Sequence, residues 1–221
     1  MAGGNSRKQV ADRQYLMYNA SLILKGGRAM VEAIFEMAEG GVMRFQLFPQ
    51  RAPITVASFV DLAKSGFYDG RRWIRIVKDF VIQGGSADDE ILTPCPFRIR
   101  GEFSLKGVDT GLCHRRGAIS MSRFGDYDSA GSQIFVVHRD APALDGKFAV
   151  FGYMLDGFEE LDRLAALPVK MTPVRQLKPD GPTSYHRPLD PPVIRRVTIL
   201  ADEALPPLRR MRVEEGAGYG A

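Results

Sequence analysis

Cysteine is scarce in this 221-residue chain: Cys95 and Cys113 are the only two. No disulfide framework can be built from them, and two free thiols in a reducing compartment are the simpler reading, so a cytoplasmic location is expected. Histidine is nearly as thin, with His114, His138 and His186. None stands at ligand spacing from another His or Cys, and the adjacent pair Cys113-His114 is poorly placed to hold one ion, so no metal is expected. The chain has no G-x-S-x-G elbow and no phosphate-binding P-loop. "GAGYG" at 216–220 has no strand before it and no helix after it, which removes a dinucleotide loop. The paired carboxylates Asp88-Asp89 and Glu159-Glu160 fall in a loop and on a helix and read as solvated surface. Hydrolytic, redox and cofactor-dependent chemistry therefore find little support, and no cofactor is expected.

Long apolar runs are missing too. No segment approaches the roughly 20 residues of a spanning helix, so no membrane contact is expected. "YLMYNASLIL", 15–24, faintly resembles a signal-peptide core behind Arg7 and Lys8. Asn19 and Ser21 interrupt it, Asp12 lies upstream, and no small-residue cleavage site follows at once. Charge of one sign is also lacking: 30 Lys and Arg face 26 Asp and Glu, for a net +4, and they are scattered rather than striped. Nucleic acid is not an expected partner on that basis, although "RRMR" at 209–212 and the N-terminal basic residues leave a contact through the ends as a minor reading.

What is present is an ordinary globular composition, 45% hydrophobic and 25% charged, enough for one well-filled core. "AMVEAIFEMA" (29–38), Gly40-Gly41 and "VMRFQLF" (42–48) read as two strands joined by a tight turn. "TVASFVDLAKSGFYDG" carries apolar residues at helical spacing, with Thr55 as N-cap and Gly66 just past the C-terminus. Further strands are read at 73–85, 117–122, 132–138, 148–155 and 191–200, and a second short helix at 157–167. Residues 1–29 form an N-terminal extension, 30–200 a single domain, and 201–221 a loosely attached tail. About eight strands, mostly locally connected, with two helices fit an antiparallel barrel whose ends the helices close.

The stretch "RRWIRIVKDFVIQGGS" (71–86) is strand-like, yet it keeps Arg75 and Gln83. Strict alternation puts Trp73, Arg75 and Val77 on one face and Ile74 and Ile76 on the other. Taken alone, Arg75 reads as a charge lying over apolar surface with its head in water.

Four blocks change that reading. "WIRIVKDFVIQGG" (73–85), "GAISMS" (117–122), "GSQIFV" (131–136) and "LDGKFAVFG" (144–152) occur in this order and near this spacing in the cyclophilins, a family of peptidyl-prolyl cis–trans isomerases, and the sequence resembles that family over roughly residues 31–200. "RAPITVASFVDLAKSGFYDG" and "DPPVIRRVTI" agree as flanks. The resemblance implies a mainly β fold, an eight-stranded antiparallel closed barrel capped by two α-helices, with a substrate groove on its outer wall. It implies an isomerase that accelerates rotation about Xaa-Pro bonds and so assists folding. The alternative is a catalytically weak binding module or chaperone of the same fold.

Rotation about the prolyl amide is slow because nitrogen shares its lone pair with the carbonyl, a barrier of about 18–20 kcal/mol. A guanidinium can donate to that lone pair only once the bond is twisted, so it favours the transition state rather than the ground state. On the resemblance Arg75 has this role, and Gln83 steadies the arginine and the substrate carbonyl. Phe80, Val81, Phe135 and Leu144 match the apolar proline pocket, and Phe148 its far wall. Gln133 and the backbone at Ser122-Arg123 match positions along the groove. The chain departs from the usual pattern at Ile74 and Phe148, where His is common, at Val81 (Met), Ser86 (Asp), Arg123 (Asn) and Ile134 (an aromatic), and the loop 122–131 is one residue longer. Ala143 stands where drug-sensitive members carry Trp, so only weak cyclosporin binding is expected. The expected partners are proline-containing peptides and unfolded or folding proteins, bound by a monomer.

Overall fold

The computed structural model describes residues 31–93, 95–174 and 184–201, and the backbone alone of 211–212. The expected N-terminal extension, 1–29, and most of the tail lie outside the described residues.

Strand β1 (Val31–Met37) shows how the main sheet is made. Val31, Ala33, Phe35 and Met37 alternate inward, none more than 1% exposed, while Glu32, Ile34 and Glu36 face outward. A turn through Gly40-Gly41, with the Met37 N–H donating to the Gly41 carbonyl at 2.8 Å, returns the chain as β2 (Val42–Leu47). The other strands of this sheet are β3 (Trp73–Val77), β4 (Val81–Gly84), β6 (Ala118–Met121), β7 (Ile134–Val137), β8 (Ala149–Asp156) and β11 (Ile194–Ala201). They pair antiparallel throughout, in the order β11-β1-β2-β8-β6-β7-β4-β3. Helices α1 (Pro53–Lys64) and α2 (Phe158–Ala165) supply the rest of the core, where Phe35, Phe45, Phe59, Trp73 and Phe151 meet.

The closed barrel expected from the sequence is only partly closed. The eight strands form one curled sheet with β3 and β11 at its edges. These edges join at one end alone, where Ile194 N–H donates to the Arg71 carbonyl (2.7 Å), Trp73 N–H to Pro192 (3.0 Å) and Gly70 N–H to Ile194 (2.8 Å). Further along, β3 is covered by a two-stranded hairpin, β9 (Val169–Pro173) with β10 (Ser184–Pro188). Covering an edge serves the same end as pairing it. The Pro-, Lys- and Gly-rich composition between the second helix and β11 carries no strand pattern. A second small pairing, β5 (Phe97–Arg98) with β12 (Met211–Arg212), was equally invisible in the sequence.

Two local expectations need correction. Thr55 is not the N-cap of α1. Ala52 is, with Pro53 in the first turn, where a missing N–H costs nothing. The orphan N–H groups of Ile54 and Thr55 donate instead to the two carboxylate oxygens of Glu102, at 3.0 and 2.8 Å. Nor does Trp73 share a face with Arg75. A β-bulge lies between them, because Trp73 pairs with Gly84 and Arg75 with Gln83, leaving Ile74 as the extra residue. The bulge turns Trp73 into the core beside Ile76 and leaves Arg75 facing out. The predicted C-terminal glycine of α1 is in place: Gly66 follows the cap Ser65 at φ +75°.

Glu102 is only 3% exposed and comes from the long segment between β5 and β6. Its carboxylate is the cap of α1, so Glu102→Ala should lower unfolding free energy by about 1–3 kcal/mol in a urea titration. An unchanged midpoint would mean that water replaces the cap at no cost.

Candidate functional site

On the outer face of the sheet, one row of paired residues runs across four strands. Arg75 on β3 pairs with Gln83 on β4, Gln83 with Phe135 on β7, and Phe135 with Ser120 on β6. Residues in register on one face stand about 5 Å apart, so the row sets a cation, an amide and an aromatic ring side by side. β4 and β7 are buried on both faces. Ile82, Ile134 and Val136 belong to the inner core, while Val81, Phe135 and Val137 belong to a second apolar cluster outside the sheet, with Phe48, Val150 and Tyr153. Phe80, Leu144 and Phe148 pack on that cluster from partly exposed positions.

The two glycines after Gln83 are there for backbone approach. A Cβ on Gly84 would sit 2.5 Å from the Arg72 carbonyl oxygen. Gly85 has φ +81°, and its Cβ would meet the Ser132 carbonyl at 2.9 Å. Ordinary side chains would push β4 off its neighbours and move Gln83.

A directional hydrogen-bond relay holds the row. Arg75 Nη1 donates to Gln83 Oε1 at 3.1 Å. Gln83 Nε2 donates to Gln133 Oε1 at 2.9 Å and to Ser122 Oγ at 3.1 Å. Gln133 Nε2 donates to the Ile91 carbonyl at 3.0 Å. Every amide is oriented by its neighbours, so the Gln83 oxygen must face the guanidinium. Among the described residues no carboxylate pairs with Arg75. Burial pushes its pKa down from the ordinary arginine value, yet a guanidinium keeps its proton in proteins. Arg75 is thus a half-desolvated cation with donors to spare.

All ten residues singled out in the sequence line one groove of about 780 Å³: Arg75, Phe80, Val81, Gln83, Ser122, Arg123, Gln133, Phe135, Leu144 and Phe148. Phe148 stands edge-on to Phe135, centroids 5.6 Å apart. Arg123 closes the wall behind it. Its guanidinium lies 4.7 Å from the Phe148 ring centre and 4.8 Å from that of Tyr127, and donates to the carbonyls of Lys147, Phe124 and Gly125.

Two histidines to which the sequence assigned no role support the pocket. His114, 2% exposed, stacks on Phe135 with ring centres 5.7 Å apart and a 12° tilt. Its Nδ1 faces Asp145 Oδ1 at 2.8 Å and its Nε2 faces Ser120 Oγ at 3.0 Å. The carboxylate favours the Nδ1–H tautomer, so Nε2 accepts from the serine. The trio has the order of a hydrolase triad, but Ser120 is fully buried and no substrate reaches it. It backs Phe135, the floor of the pocket. His138, beyond β7, accepts the Asp79 N–H at Nδ1 (3.0 Å), and its own N–H donates to the Phe80 carbonyl (2.8 Å), which pins the turn carrying Phe80. Neither histidine had a sequence signal, because their partners lie 31 and 59 residues away.

Residues 33–198 match the family profile described as "Cyclophilin type peptidyl-prolyl cis-trans isomerase/CLD". Peptidyl-prolyl cis-trans isomerase B of Bacillus subtilis is 37% identical over 135 residues, 59% of this chain and 87% of that protein. The peptidyl-prolyl cis-trans isomerase of Acinetobacter baylyi is 31% identical over 169 residues, 72% of this chain and 86% of that protein. Among solved structures, a cyclophilin type isomerase of Cryptosporidium parvum, crystallised in the presence of the dipeptide Ala-Pro, superposes with a TM-score of 0.64 at 25% identity, covering 76% of this chain and 98% of that one. The chain belongs to the cyclophilin-type peptidyl-prolyl cis–trans isomerases.

Burial pushes the pKa of His114 down from its ordinary value, against the opposing pull of Asp145. The unfolded chain then binds the proton more readily, so this contribution to stability is complete above about pH 6.5 and falls as pH drops toward the lowered folded pKa. Urea midpoints should decline as pH falls below about 6.5, and His114→Gln should flatten part of that slope. Equal slopes in both proteins would rule out a His114 contribution.

Proposed function

We propose that Arg75 is the catalytic group of this isomerase, that Gln83 positions it, and that Phe80, Val81, Phe135, Leu144 and Phe148 hold the substrate proline ring. The carrying observation is the row Arg75–Gln83–Phe135: a cation with no carboxylate partner among the described residues stands two strands from an apolar pocket floor. With the ring seated on Phe135, the amide nitrogen lies toward Arg75. As the bond twists and conjugation is lost, nitrogen turns pyramidal and its lone pair accepts a hydrogen bond from the guanidinium. Gln83 and Gln133 hold the guanidinium and the substrate backbone in place, and the N–H and carbonyl groups near Ser122-Arg123 align the peptide. No bond is made or broken, and no group changes protonation state.

The proposed substrates are proline-containing segments of unfolded or folding proteins, taken up by a monomer. The dipeptide named with the Cryptosporidium structure fits this reading. Cyclosporin binding is proposed to be weak, since Ala143 offers no indole. The scarcity of cysteine, two residues in the chain, favours a reducing, cytoplasmic setting.

Exchange spectroscopy on an Ala-Pro peptide tests the assignment. Wild type should accelerate cis–trans exchange, and Arg75→Ala should lose about 100-fold in kcat/KM while staying folded, the scale of one charge-assisted interaction made in the transition state. Gln83→Leu should lose less. A folded wild type that binds the peptide without accelerating exchange across several Xaa-Pro sequences would establish the binding module instead, with Arg75 as a clamp.

A further inference from the structure

The β9–β10 hairpin is not accounted for by the mechanism above, yet it forms a wall of the same groove. β10 lies against β3, the edge strand that carries Arg75. The hairpin is firmly held. Tyr185 is its buried anchor at 5% exposure. Arg187 Nη1 donates both to Tyr185 Oη at 2.8 Å and to Glu90 Oε1 at 2.9 Å. Glu90 precedes Ile91, whose carbonyl takes the Gln133 amide, so the hairpin is fastened to the loop on which the Arg75 relay ends.

Met171 and His186 face one another across the hairpin, and both line the groove. Met171 is 56% exposed, a large flexible apolar side chain outside either core cluster. From Phe135 on β7 to Met171 on β9 is four strand steps, through β4, β3 and β10. At about 4.8 Å per hydrogen-bonded step, and somewhat more between β3 and β10, this is on the order of 20 Å, or about six residues of extended chain. The groove is continuous between these two points.

We propose that the β9–β10 hairpin is a second reading wall for substrate, in which Met171, beside His186, receives an apolar side chain about five to seven residues from the prolyl bond. The inference rests on the isomerase reading. Its occupant is an extended segment of unfolded polypeptide, because only an extended chain reaches from the pocket over Phe135 to Met171. A thioether suits such a role, since it adapts to many apolar shapes.

The experiment compares kcat/KM for Ala-Pro peptides carrying Leu or Ser at positions about five to seven residues from proline, scanned on either side. In wild type, Leu at one or more of these positions should raise kcat/KM about tenfold over Ser, as expected for half-burying one aliphatic side chain. The Leu/Ser ratio should fall toward one in Met171→Ser and be largely kept in Met171→Leu. Met171 is exposed, so neither variant threatens the fold. A flat Leu/Ser ratio in a wild type that turns over Ala-Pro peptides would overturn the second wall and leave the isomerase reading standing. A ratio unchanged in Met171→Ser would do the same. No turnover of any peptide would overturn the isomerase reading, and the wall as a substrate contact with it. A dimer seen by sedimentation and abolished in Met171→Ser would assign the patch to a second copy of the chain and overturn the proposal.

Discussion

The Gln83 amide has one orientation open to it, and the geometry of the groove follows from that. Its nitrogen is committed to Gln133 and Ser122, so its oxygen is committed to Arg75. Those partners come from β3, from the segment after β6 and from the segment before β7, and they meet only if β4 pairs between β3 and β7 in the observed register. A slip of one residue would turn Gln83 into the apolar core and bring Ile82 to the groove, leaving a guanidinium without its oxygen acceptor. The two glycines that follow are part of the same constraint, because they let β4 approach Arg72 and Ser132 closely enough to keep that register.

Beneath the row the sheet is packed on both sides. An outer apolar cluster makes Phe135 part of a stiff floor rather than a surface ring, and His114, held between Asp145 and Ser120, is stacked behind it. A fully satisfied polar chain inside an apolar cluster admits few alternative packings, which suits a pocket proposed to hold a proline ring while the bond beside it turns.

Two of the chain's departures from the family pattern are one change in the structure. Arg123 and Phe148 stand where Asn and His are usual, and in the fold the guanidinium of the first lies 4.7 Å from the ring centre of the second. The pocket loses a polar wall and gains a cation-backed aromatic one. Tyr127, in the lengthened loop, supplies another face to the same guanidinium. Burial pushes the Arg123 pKa down, with Tyr127 and Asp126 opposing it, and Arg123 stays a cation as a guanidinium does in proteins. The wall therefore keeps its charge across the working pH range.

Much of this was legible in the chain. Alternating Val31, Ala33, Phe35 and Met37 define a strand with one buried face whatever surrounds them, and the four blocks carrying Arg75, Gln83, Phe135 and Phe148 name the groove residues, because local pattern and motif survive without knowledge of contacts. Three things were not legible. The bulge at Ile74 reverses the face of Trp73, and it depends on the pairing partner rather than on the strand itself. Glu102 caps a helix 47 residues away, and His114 finds Asp145 31 residues away, so neither leaves a mark at short spacing. The β9–β10 hairpin hides in a Pro- and Lys-rich segment because its strands draw their stability from β3 and from the Arg187–Glu90 tie, not from their own composition. The sequence by itself determined the residues of the Arg75–Gln83–Phe135 row and the apolar side chains around it. Tertiary structure alone decided how they face one another and what walls them in, since register, bulges and long-range caps are set by partners distant in the chain.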